Sequence, residues 1–421
     1  MKIADMVSTL TDGSPPVRFE AYDGSGFGPA DSPVTMRLNN ERGLRYLATA
    51  PGDLGMARAY VAGDLALEGV HPGDPYPALQ LLGRWRGRRP NAAELATLVR
   101  VMGWRRLVPP EPPRQEATPR WRRVAEGLRH SRQRDAESIQ HHYDVSNSFY
   151  AKVLGTSMAY TCAVFPTAEA TLEEAQAEKF DLVCRKLGLE PGMRLLDVGC
   201  GWGGMVRHAV AHYGVSAVGV TLSAEQAKWG QLVLERDGLA DRGEIVHGDY
   251  RDAPGEQYDA VSSIGLLEHV GVHNYPPYFG FLRDKLRDGG RLLNHSITRP
   301  RNNVRVTTGA FIDRYVFPDG ELIGAGRIIA DAQDAGFEVR HEENLREHYA
   351  LTLKHWCANL VEHWDSCVAD VGEGRARVWG LYMAGSRYGF ETNEVQLHQV
   401  LAVKVSATGG ANFPLRPNWL S

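Results

Sequence analysis

Residues 195 to 204 read LLDVGCGWGG, and this stretch carries the strongest structural signal in the chain. Its first four residues are typical of a buried strand, the glycines that follow are typical of a tight turn, and MVRHAVAHYG continues as a helix. Glycine lets the backbone pass close to a ligand, and open α/β sheets bind their ligands at the carboxyl ends of their strands. The turn after Val198 is therefore the first candidate binding site.

Segments typical of helices and strands alternate on both sides of this turn. LEEAQAEKFDLVCRKLG precedes it with the apolar spacing of a helix, and predicted helices separate most of the later strand segments. The predicted strands are RLLDVG, SAVGVTLS, GEIVHGD, YDAVSSIG, GRLLNHSI, FEVRHE and HQVLAVKVSA. This alternation predicts an α/β fold with a seven-stranded, doubly wound sheet.

The chain of 421 residues is longer than one typical core, which favours two domains. Residues 1–108 contain the alternating segments VRFEAY and VTMRL and the helical pattern MARAYVAG, so we predict a small α+β domain there. The Pro- and Arg-rich stretch 109–134 is predicted to be a linker. Residues 135–421 are predicted to form the domain of the large sheet, with a lid inserted at about 299–350.

Composition limits the class of protein and its compartment. No apolar run reaches the roughly 18 residues of a spanning helix, and MKIADMVSTLTDGSPP lacks the apolar core of a signal peptide, so we expect a cytoplasmic protein. The five cysteines form no CxxC pair, and no His, Cys and carboxylate cluster has ligand spacing. Disulfides and a metal site are therefore not expected.

Positive charge is concentrated in one segment. The net charge is only −4, but the stretch from Arg84 to Arg134 holds 14 arginines against four acidic residues. Such a run attracts the phosphates of an anionic membrane surface or of nucleic acid, and it is equally typical of a solvated basic linker. No nucleic-acid recognition motif accompanies it, so a nucleic-acid partner is not expected.

The glycine-rich turn alone suits NAD, S-adenosylmethionine or a purely structural role. Its pattern, DxGxGxG from Asp197, differs from the dinucleotide pattern GxGxxG, and no P-loop lysine follows it. The third strand ends at Asp249, where methyltransferases commonly approach the adenine, but the second ends in Thr221-Leu222-Ser223 with no acid for the ribose. Gln226 is a candidate replacement, although Ser223 and Gln226 also suit a helix cap and Asp249 a simple turn.

Six motifs follow one another along the chain. They are His142-Tyr143-Asp144-Val145-Ser146-Asn147, Tyr160-Thr161-Cys162-Ala163, Leu196 to Gly204, Thr221-Leu222-Ser223, Leu267-Glu268-His269-Val270-Gly271 and Tyr315-Val316-Phe317-Pro318. Together they resemble the cyclopropane-fatty-acid synthases and their mycolic-acid relatives, over about residues 138 to 400. The resemblance implies the class I, Rossmann-like methyltransferase fold. The N-terminal region resembles, more weakly, the small lipid-interacting domain of the phospholipid-acting members.

The resemblance also implies two ligands, S-adenosylmethionine and a bicarbonate ion. With Asp197 and Asp249 added from the strand ends, the candidate cofactor-binding residues are Tyr160, Thr161, Asp197, Gly199, Gly201, Thr221, Leu222, Ser223, Gln226, Asp249, Tyr250 and Arg251. The positions that correspond to the family's bicarbonate ligands are Cys162, Glu268, His295, Ile297 through its backbone, and Tyr349. Two positions depart from the family pattern, Asn294 in place of leucine and Ser386 in place of a frequent cysteine.

The implied reaction is methyl transfer to the double bond of an unsaturated phospholipid acyl chain. It leaves a carbocation beside the new methyl, and a base then removes a proton from that methyl to close a cyclopropane ring. His295, Tyr349 and the Cys162 thiol can donate hydrogen bonds to bicarbonate as that base, while Glu268 orients the ion or accepts its proton. Aromatic candidates for stabilising the cation, each equally well explained as core packing, are Phe311, Tyr315, Phe317 and Trp356.

The single residues also have ordinary interpretations: His295 as a core histidine, Glu268 as a helix cap and Cys162 as a small apolar residue. The nearest alternative function shares the first step and then loses a different proton, which gives a methylene branch for a partner reductase to convert into a methyl-branched (tuberculostearic-type) chain. A small-molecule methyltransferase would need only the glycine-rich site. A nucleic-acid-binding protein is a third, different class.

The resemblance extends to location and partners. It implies unsaturated phospholipid acyl chains at an anionic membrane surface as the substrate, and hence a protein peripheral to the inner face of the membrane. The Arg-rich segment and short amphipathic stretches would dock it there. A homodimer is implied by the family alone.

Overall fold

The computed structural model describes residues 2–9, 15–83, 85, 91–117, 146–304, 307–417 and 419. The chain divides into two compact units. The first comprises residues 1–119, 309–318 and 353–388, and the second comprises residues 120–308, 319–352 and 389–421. Each unit has a sheet of its own.

The described chain contains the following α-helices and strands. The helices are α1 (Ile3–Thr9), α2 (Glu41–Thr49), α3 (Asp53–Val61), α4 (Tyr76–Leu82), α5 (Ala92–Met102), α6 (Asn147–Leu154), α7 (Leu172–Leu187), α8 (Gly204–Tyr213), α9 (Ala224–Arg236), α10 (Leu267–Val270), α11 (Tyr275–Lys285), α12 (Ala310–Tyr315), α13 (Ala325–Asp334), α14 (Arg346–Glu362), α15 (Trp364–Val371) and α16 (Glu373–Glu391). The strands are β1 (Arg18–Ala21), β2 (Gly26–Phe27), β3 (Thr35–Leu38), β4 (Leu65–Glu68), β5 (Arg194–Val198), β6 (Ser216–Thr221), β7 (Gly243–His247), β8 (Tyr258–Ile264), β9 (Leu286–Thr298), β10 (Glu338–Asn344) and β11 (Gln396–Val403).

The first unit contains a four-stranded sheet in the order β2-β1-β3-β4. β1 and β3 pair in parallel, while the other two pairs are antiparallel. Side chains alternate between buried and partly exposed along β1 and β3, and the buried ones, such as Phe19 and Met36, form a core with Leu44 and Tyr46 of α2. β1, β3 and α3 coincide with the segments that the sequence predicted as strands and helix.

Part of the predicted linker packs within the first unit. The Glu116 carboxylate accepts hydrogen bonds from Arg58 (2.7 Å) and from Arg314 (2.6 Å), and the Ala117 N–H donates to the Arg314 carbonyl (2.7 Å). The segment is fixed by ion pairs and backbone bonds rather than by apolar contacts, which is why its polar composition did not reveal the packing. Residues 118–134 of the predicted linker lie outside the described residues.

The second unit contains a seven-stranded sheet in the order β10-β11-β9-β8-β5-β6-β7. The five strands from β9 to β7 pair in parallel, and β11 is antiparallel to both of its neighbours. α7 packs on α8, and α11 packs on α13, as layers against the sheet. The predicted α/β fold with a seven-stranded, doubly wound sheet is confirmed.

The compact units divide the chain differently from the predicted domains. Within the predicted lid at 299–350, α13 and β10 contact the sheet itself, and residues 309–318 group with the first unit. Residues 353–388 also group with the first unit, although the sequence placed them in the second domain. The lid remains a proposal. In the described part of the chain, no helix is long and apolar enough to cross a membrane.

Candidate active site

The glycine turn after β5 has the backbone that its sequence predicts. Gly199, Gly201 and Gly203 have φ angles of 73°, 55° and 80°, a region that favours glycine. A Cβ on Gly203 would lie 2.8 Å from the Cδ1 of Ile245, whereas a Cβ on Gly201 would meet no described atom within 4 Å. The backbone at Gly201 is therefore open to close approach by a ligand.

The turn contacts Asn147, the last residue of the motif that begins at His142. The Trp202 indole N–H donates to the Asn147 side-chain oxygen (2.9 Å), and the Trp202 ring lies 4.8 Å from the Tyr150 ring between centroids. Ser146 caps α6 by accepting from the Phe149 N–H. Residues 142–145 of that motif lie outside the described residues.

Asp197, at the end of β5, bonds to the neighbouring strand. Its carboxylate accepts a hydrogen bond from the Ser262 hydroxyl (2.7 Å). Burial raises the pKa of Asp197 to about 7, and the hydrogen bond from Ser262 opposes that shift. Asp197 thus ties β5 to β8, and its contact with the cofactor stays a prediction.

Tyr160 and Thr161 are held from α7. The buried Lys179 ammonium donates to the Thr161 hydroxyl (3.1 Å), and the Gln176 amide donates to the Thr161 carbonyl (2.9 Å) and the Ala159 carbonyl (3.3 Å). Burial lowers the pKa of Lys179 to about 7. The two candidate cofactor residues therefore lie on a backbone that is fixed on both sides of Tyr160.

The end of β6 forms a small hydrogen-bonded group. The Thr221 hydroxyl donates to the Gln226 side-chain oxygen (2.8 Å), and Ser223 caps α9 by accepting from the Gln226 N–H (3.3 Å). The Leu222 carbonyl lies 3.2 Å from the His247 Nε2. The predicted cap is confirmed, and it leaves the backbone of Leu222 and Ser223 at the sheet edge that bears the glycine turn.

Asp249, after β7, is engaged by a residue close in sequence. Its carboxylate accepts from the Arg251 backbone N–H (2.9 Å) and from the Arg251 guanidinium (2.7 Å). The Tyr250 ring makes edge contacts with Tyr278 and Phe281, at centroid distances of 5.4 Å and 5.7 Å. The turn interpretation of Asp249 is thus correct, and Asp249 also fixes Arg251, another candidate cofactor residue.

Glu268 and Ile297 meet, as the resemblance implies. Glu268 lies in α10, directly after the loop that follows β8, and its Oε1 accepts from the Ile297 N–H of β9 (2.6 Å). The Glu268 carbonyl accepts from the Glu321 N–H (3.1 Å). Glu268 Oε2 is buried and has no hydrogen-bond partner among the described residues.

His295 lies two residues before Ile297 on β9 and is 1% exposed. Its Nδ1 is 3.2 Å from the side-chain nitrogen of Gln399 on β11, and its carbonyl accepts from the Gly265 N–H (2.8 Å). His295 Nε2 is buried and without a partner in the part of the chain that the structure describes. Each of two neighbouring buried side chains thus carries one unbonded polar atom.

Cys162 and Tyr349 share a neighbour. The Cys162 thiol donates to the Leu345 carbonyl (3.8 Å), which also accepts from the Tyr349 N–H (3.2 Å). The Leu345 N–H donates to the Leu397 carbonyl (2.8 Å), and Leu397 faces Ile297 across β11 and β9. This chain of contacts brings Cys162 and Tyr349 to the strand that carries His295 and Ile297.

One cofactor candidate, Thr161, lies close to the loop residue that bonds to His295. Gly265, which bonds to the His295 carbonyl, has a φ of 72°, and a Cβ there would lie 3.0 Å from the Thr161 Cγ2. Thr161 itself directly precedes Cys162. Hydrogen bonds and strand pairing therefore link the segments that carry the five candidate bicarbonate ligands to β9, and Thr161 lies beside Gly265. That the five residues bind one ion stays a prediction.

Burial is the largest cause of the pKa shifts of three of these residues, Glu268, His295 and Cys162. It raises the pKa of Glu268 to about 7, lowers the pKa of His295 well below its usual value, and raises the pKa of the Cys162 thiol. His295 is consequently a neutral imidazole and Cys162 a thiol at neutral pH. Both can donate a hydrogen bond, while Glu268 can exchange a proton near pH 7.

The remaining positions that the sequence singled out are Asn294, Ser386 and four aromatic residues. Asn294 is buried on β9, and its amide donates to the Ser296 hydroxyl (3.0 Å). Ser386 and the aromatic candidates Phe311, Tyr315, Phe317 and Trp356 belong to the first unit. The Tyr315 hydroxyl donates to the Glu116 carboxylate (3.1 Å), which supports the packing interpretation for that residue.

Sequence reasoning missed three buried polar residues around the site, Lys179, Lys186 and Gln399. The two lysines carried a signal, because they lie seven positions apart on α7 and so share its apolar face with Val183. Gln399 carried none, since a glutamine in a predicted strand is unremarkable. No group of three or more metal-ligating side chains is present in the described ranges.

Comparison with known proteins identifies the family. The family model described as mycolic acid cyclopropane synthetase matches residues 130–400. A probable fatty acid methyltransferase of Mycobacterium tuberculosis is 59% identical over 421 residues, which covers 100% of this chain and 98% of the relative. The cyclopropane-fatty-acyl-phospholipid synthase of Escherichia coli is 36% identical over 260 residues, 62% of this chain and 66% of that protein.

A solved structure extends the comparison to a bound ligand. The mycolic acid cyclopropane synthase CmaA1, complexed with SAH and CTAB, superposes with a TM-score of 0.60 at 32% identity, covering 63% of this chain and 97% of that chain. The fold is thus that of the class I S-adenosylmethionine-dependent methyltransferases. The chain belongs to the mycolic acid cyclopropane synthetase family and is an S-adenosylmethionine-dependent methyltransferase that acts on lipids.

Proposed function

We propose that this protein methylates the double bond of an unsaturated phospholipid acyl chain and closes a cyclopropane ring, with a bound bicarbonate ion as the base. The observation that carries the proposal is that Glu268 Oε2 and His295 Nε2, on two of the candidate ligands, are buried and have no hydrogen-bond partner among the described residues. A buried polar atom without a hydrogen bond costs roughly 1–3 kcal/mol. A small polar ligand between these groups would remove that cost.

The residues fit a bicarbonate ion in their chemistry. The neutral His295 imidazole and the Tyr349 hydroxyl are donors of the kind that an anion requires. The Cys162 thiol would add a third donor if its proton turned from the backbone carbonyls to the ion. Glu268, whose pKa is raised to about 7 by burial, can either donate to the ion or accept a proton from it. The Ile297 N–H is used by Glu268, so Ile297 positions that carboxyl group.

The residues at the strand ends fit S-adenosylmethionine. Gly201 leaves its backbone open, and Tyr160 and Thr161 are held in place by α7. The remaining candidates that would hold the cofactor are Asp197, Gly199, Thr221, Leu222, Ser223, Gln226, Asp249, Tyr250 and Arg251. Bound there, S-adenosylmethionine supplies an electrophilic methyl group and bicarbonate a base in a dry site.

The chemistry balances without an oxidant. The carbon–sulfur bond and the π bond of the alkene break as the first carbon–carbon bond forms. A carbon–hydrogen bond of the new methyl group then breaks as the second carbon–carbon bond closes the ring, and the products are the cyclopropane, S-adenosylhomocysteine and a proton. The protein holds the reacting groups in line and excludes water, which can supply several kcal/mol. Glu268 and His295 hold the base on the strand that adjoins the cofactor candidates.

A second candidate product is a methylene-branched chain for later reduction. It is favoured by the relative of 59% identity, which is named a probable fatty acid methyltransferase rather than a cyclopropane synthase. We further propose that the Arg-rich segment docks the protein on the anionic inner face of the membrane. A homodimer and a reductase partner are expected only by family resemblance.

The deciding assay uses the full chain and its lipid. Purified protein is incubated with S-adenosylmethionine and vesicles of an unsaturated, partly anionic phospholipid, with and without bicarbonate. The fatty acids are then identified by mass spectrometry with ring-diagnostic derivatisation. We expect a cyclopropane product whose rate depends on bicarbonate.

Other outcomes would change the proposal in specific ways. A methylene-branched product would keep the fold, cofactor and first step but move the function to methyl branching. Unmodified lipid, with turnover on a small molecule instead, would overturn the lipid proposal. Cyclopropane formation that is independent of added and contaminating bicarbonate would overturn the assignment of the base. Vesicle binding that does not weaken with salt would overturn electrostatic docking.

A further inference from the structure

Behind His295, a line of buried polar side chains leads away from the candidate active site. Gln399 on β11 is the register partner of His295 on β9, so their side chains share one face of the sheet. Gln399 is fully buried, and its amide nitrogen is 3.2 Å from His295 Nδ1. The other end of the amide reaches Lys186 of α7, whose Nζ lies 2.7 Å from Gln399 Oε1.

Lys186 determines which way the Gln399 amide points. An ammonium group has three donors and no acceptor, so the amide atom beside it must be the oxygen. The assignment therefore rests on chemistry rather than on telling oxygen from nitrogen. Burial lowers the pKa of Lys186, and the Glu343 carboxylate, which also bonds to its Nζ, opposes that shift.

The orientation of Gln399 in turn determines the tautomer of His295. With its oxygen bound to Lys186, the amide presents an N–H to His295 Nδ1, which must then act as the acceptor. A neutral imidazole that accepts at Nδ1 carries its proton at Nε2. Nε2 is the buried ring atom of His295 that has no partner in the described residues.

We propose that Lys186 and Gln399 are positioning residues that lock His295 in the Nε2–H tautomer, so that His295 donates to the active-site anion and does not act as the proton acceptor. This inference rests on the proposed function for the identity of the anion. It leaves the accepting role to the anion and to Glu268. It also explains why α7 buries a lysine that contacts neither candidate ligand: the lysine acts through the glutamine.

The first test measures the tautomer of His295 by NMR spectroscopy and does not depend on catalytic turnover. In protein labelled with ¹⁵N at histidine, the nitrogen shifts and one-bond couplings distinguish a protonated ring nitrogen from an unprotonated one. The His295 signals are identified by their loss in His295→Gln. We expect a protonated Nε2 and an unprotonated Nδ1 in the wild type near pH 7. A protonated Nδ1, or an imidazolium with both nitrogens protonated, would overturn the lock.

The second test removes the orienting charge. In Lys186→Met the Gln399 amide is free to turn, so we expect a population with Nδ1 protonated and an apparent bicarbonate affinity lowered about 10-fold, as for loss of one hydrogen bond to a charged group. Affinity for S-adenosylmethionine should stay within about twofold. Lys404→Met is the matched control, because Lys404 donates instead to the Leu286 carbonyl (2.7 Å).

Gln399→Met tests the same claim independently, in case Lys186→Met does not fold. Gln399→Met keeps the volume of the side chain but removes both amide groups, and it should loosen the tautomer to the same extent. An unchanged His295 tautomer in both folded variants would overturn the inference. If the tautomer shifts in the variants but bicarbonate has no effect on the wild type or the variants, the tautomer lock is supported and bicarbonate is overturned as the bound anion. Failure of the lock and failure of the proposed base can therefore be told apart.

Discussion

Two buried polar clusters, one in each compact unit, differ in how completely they are bonded. In the first unit, both oxygens of Glu116 are satisfied, by Arg58, Arg314 and the Tyr315 hydroxyl. In the second unit, Glu268 has one bonded oxygen and one without a partner in the described ranges, and His295 likewise has one unbonded nitrogen.

The difference separates a structural role from a ligand-binding role. A buried charge that is fully paired contributes to a single packed arrangement, and removing either partner is costly. A buried group that keeps an unbonded atom lowers stability until a ligand binds, and such groups are concentrated at functional sites. The Glu116 cluster should therefore affect folding alone, and the Glu268 cluster should affect function first.

The largest effect is expected for Glu268→Gln. The amide keeps an oxygen for the Ile297 N–H but cannot exchange a proton, so product formation should fall about 10²- to 10⁴-fold, the usual contribution of a proton-transfer group. Binding of S-adenosylmethionine, measured by calorimetry, should change little. Glu338→Gln, at a partly exposed position on β10 where the carboxylate pairs only with the nearby Arg340 in the described residues, is the control. If Glu268→Gln keeps activity within twofold of the wild type, Glu268 has no role in proton transfer, and its unbonded oxygen does not mark a functional site.

The next effect is expected for Glu116→Gln. It leaves the Arg58 and Arg314 guanidinium groups buried without their carboxylate, which should cost about 3–5 kcal/mol of stability in the first unit. Hydrogen exchange of peptides from α3 and α12 measures that loss. The control is Glu68→Gln, which breaks the exposed ion pair with Arg37 and should cost less than about 1 kcal/mol. Equal protection in both variants would contradict the structural role of Glu116.

The smallest effect is a pH dependence of stability. The pKa of Glu268 is raised from 4.5 to about 7 in the folded state, so the folded protein binds more protons than the unfolded protein between these values. Its stability therefore falls as pH rises through that range, by about 3 kcal/mol in total. In Glu268→Gln this part of the decline should be absent, as measured by hydrogen exchange of β9 from pH 4 to pH 8. If stability has the same pH dependence in Glu268→Gln as in the wild type, burial does not disfavour the ionised form of Glu268.

Prediction from the sequence succeeded where the signal was local. The glycine turn at 199–203 requires positive φ angles that only glycine adopts readily, and the seven strand segments each carry their own apolar pattern. The candidate ligand set from Cys162 to Tyr349 was proposed by resemblance, residue by residue, and it stays a prediction, although hydrogen bonds and strand pairing link its segments to β9. The packing of Glu116 was missed because an ion pair between residues 58, 116 and 314 leaves no pattern along the chain.

The fold class, the glycine turn and the family could all be predicted from the sequence, because each depends on residues that are neighbours in sequence or on motifs in fixed order. The tertiary structure alone decided which polar atoms are bonded and which are not. Lys186, His295 and Gln399 come from a helix and two strands, and only the pairing of β9 with β11 under α7 places them in contact. Burial then sets the protonation of these groups, since the free energy of a charge depends on its surroundings in space.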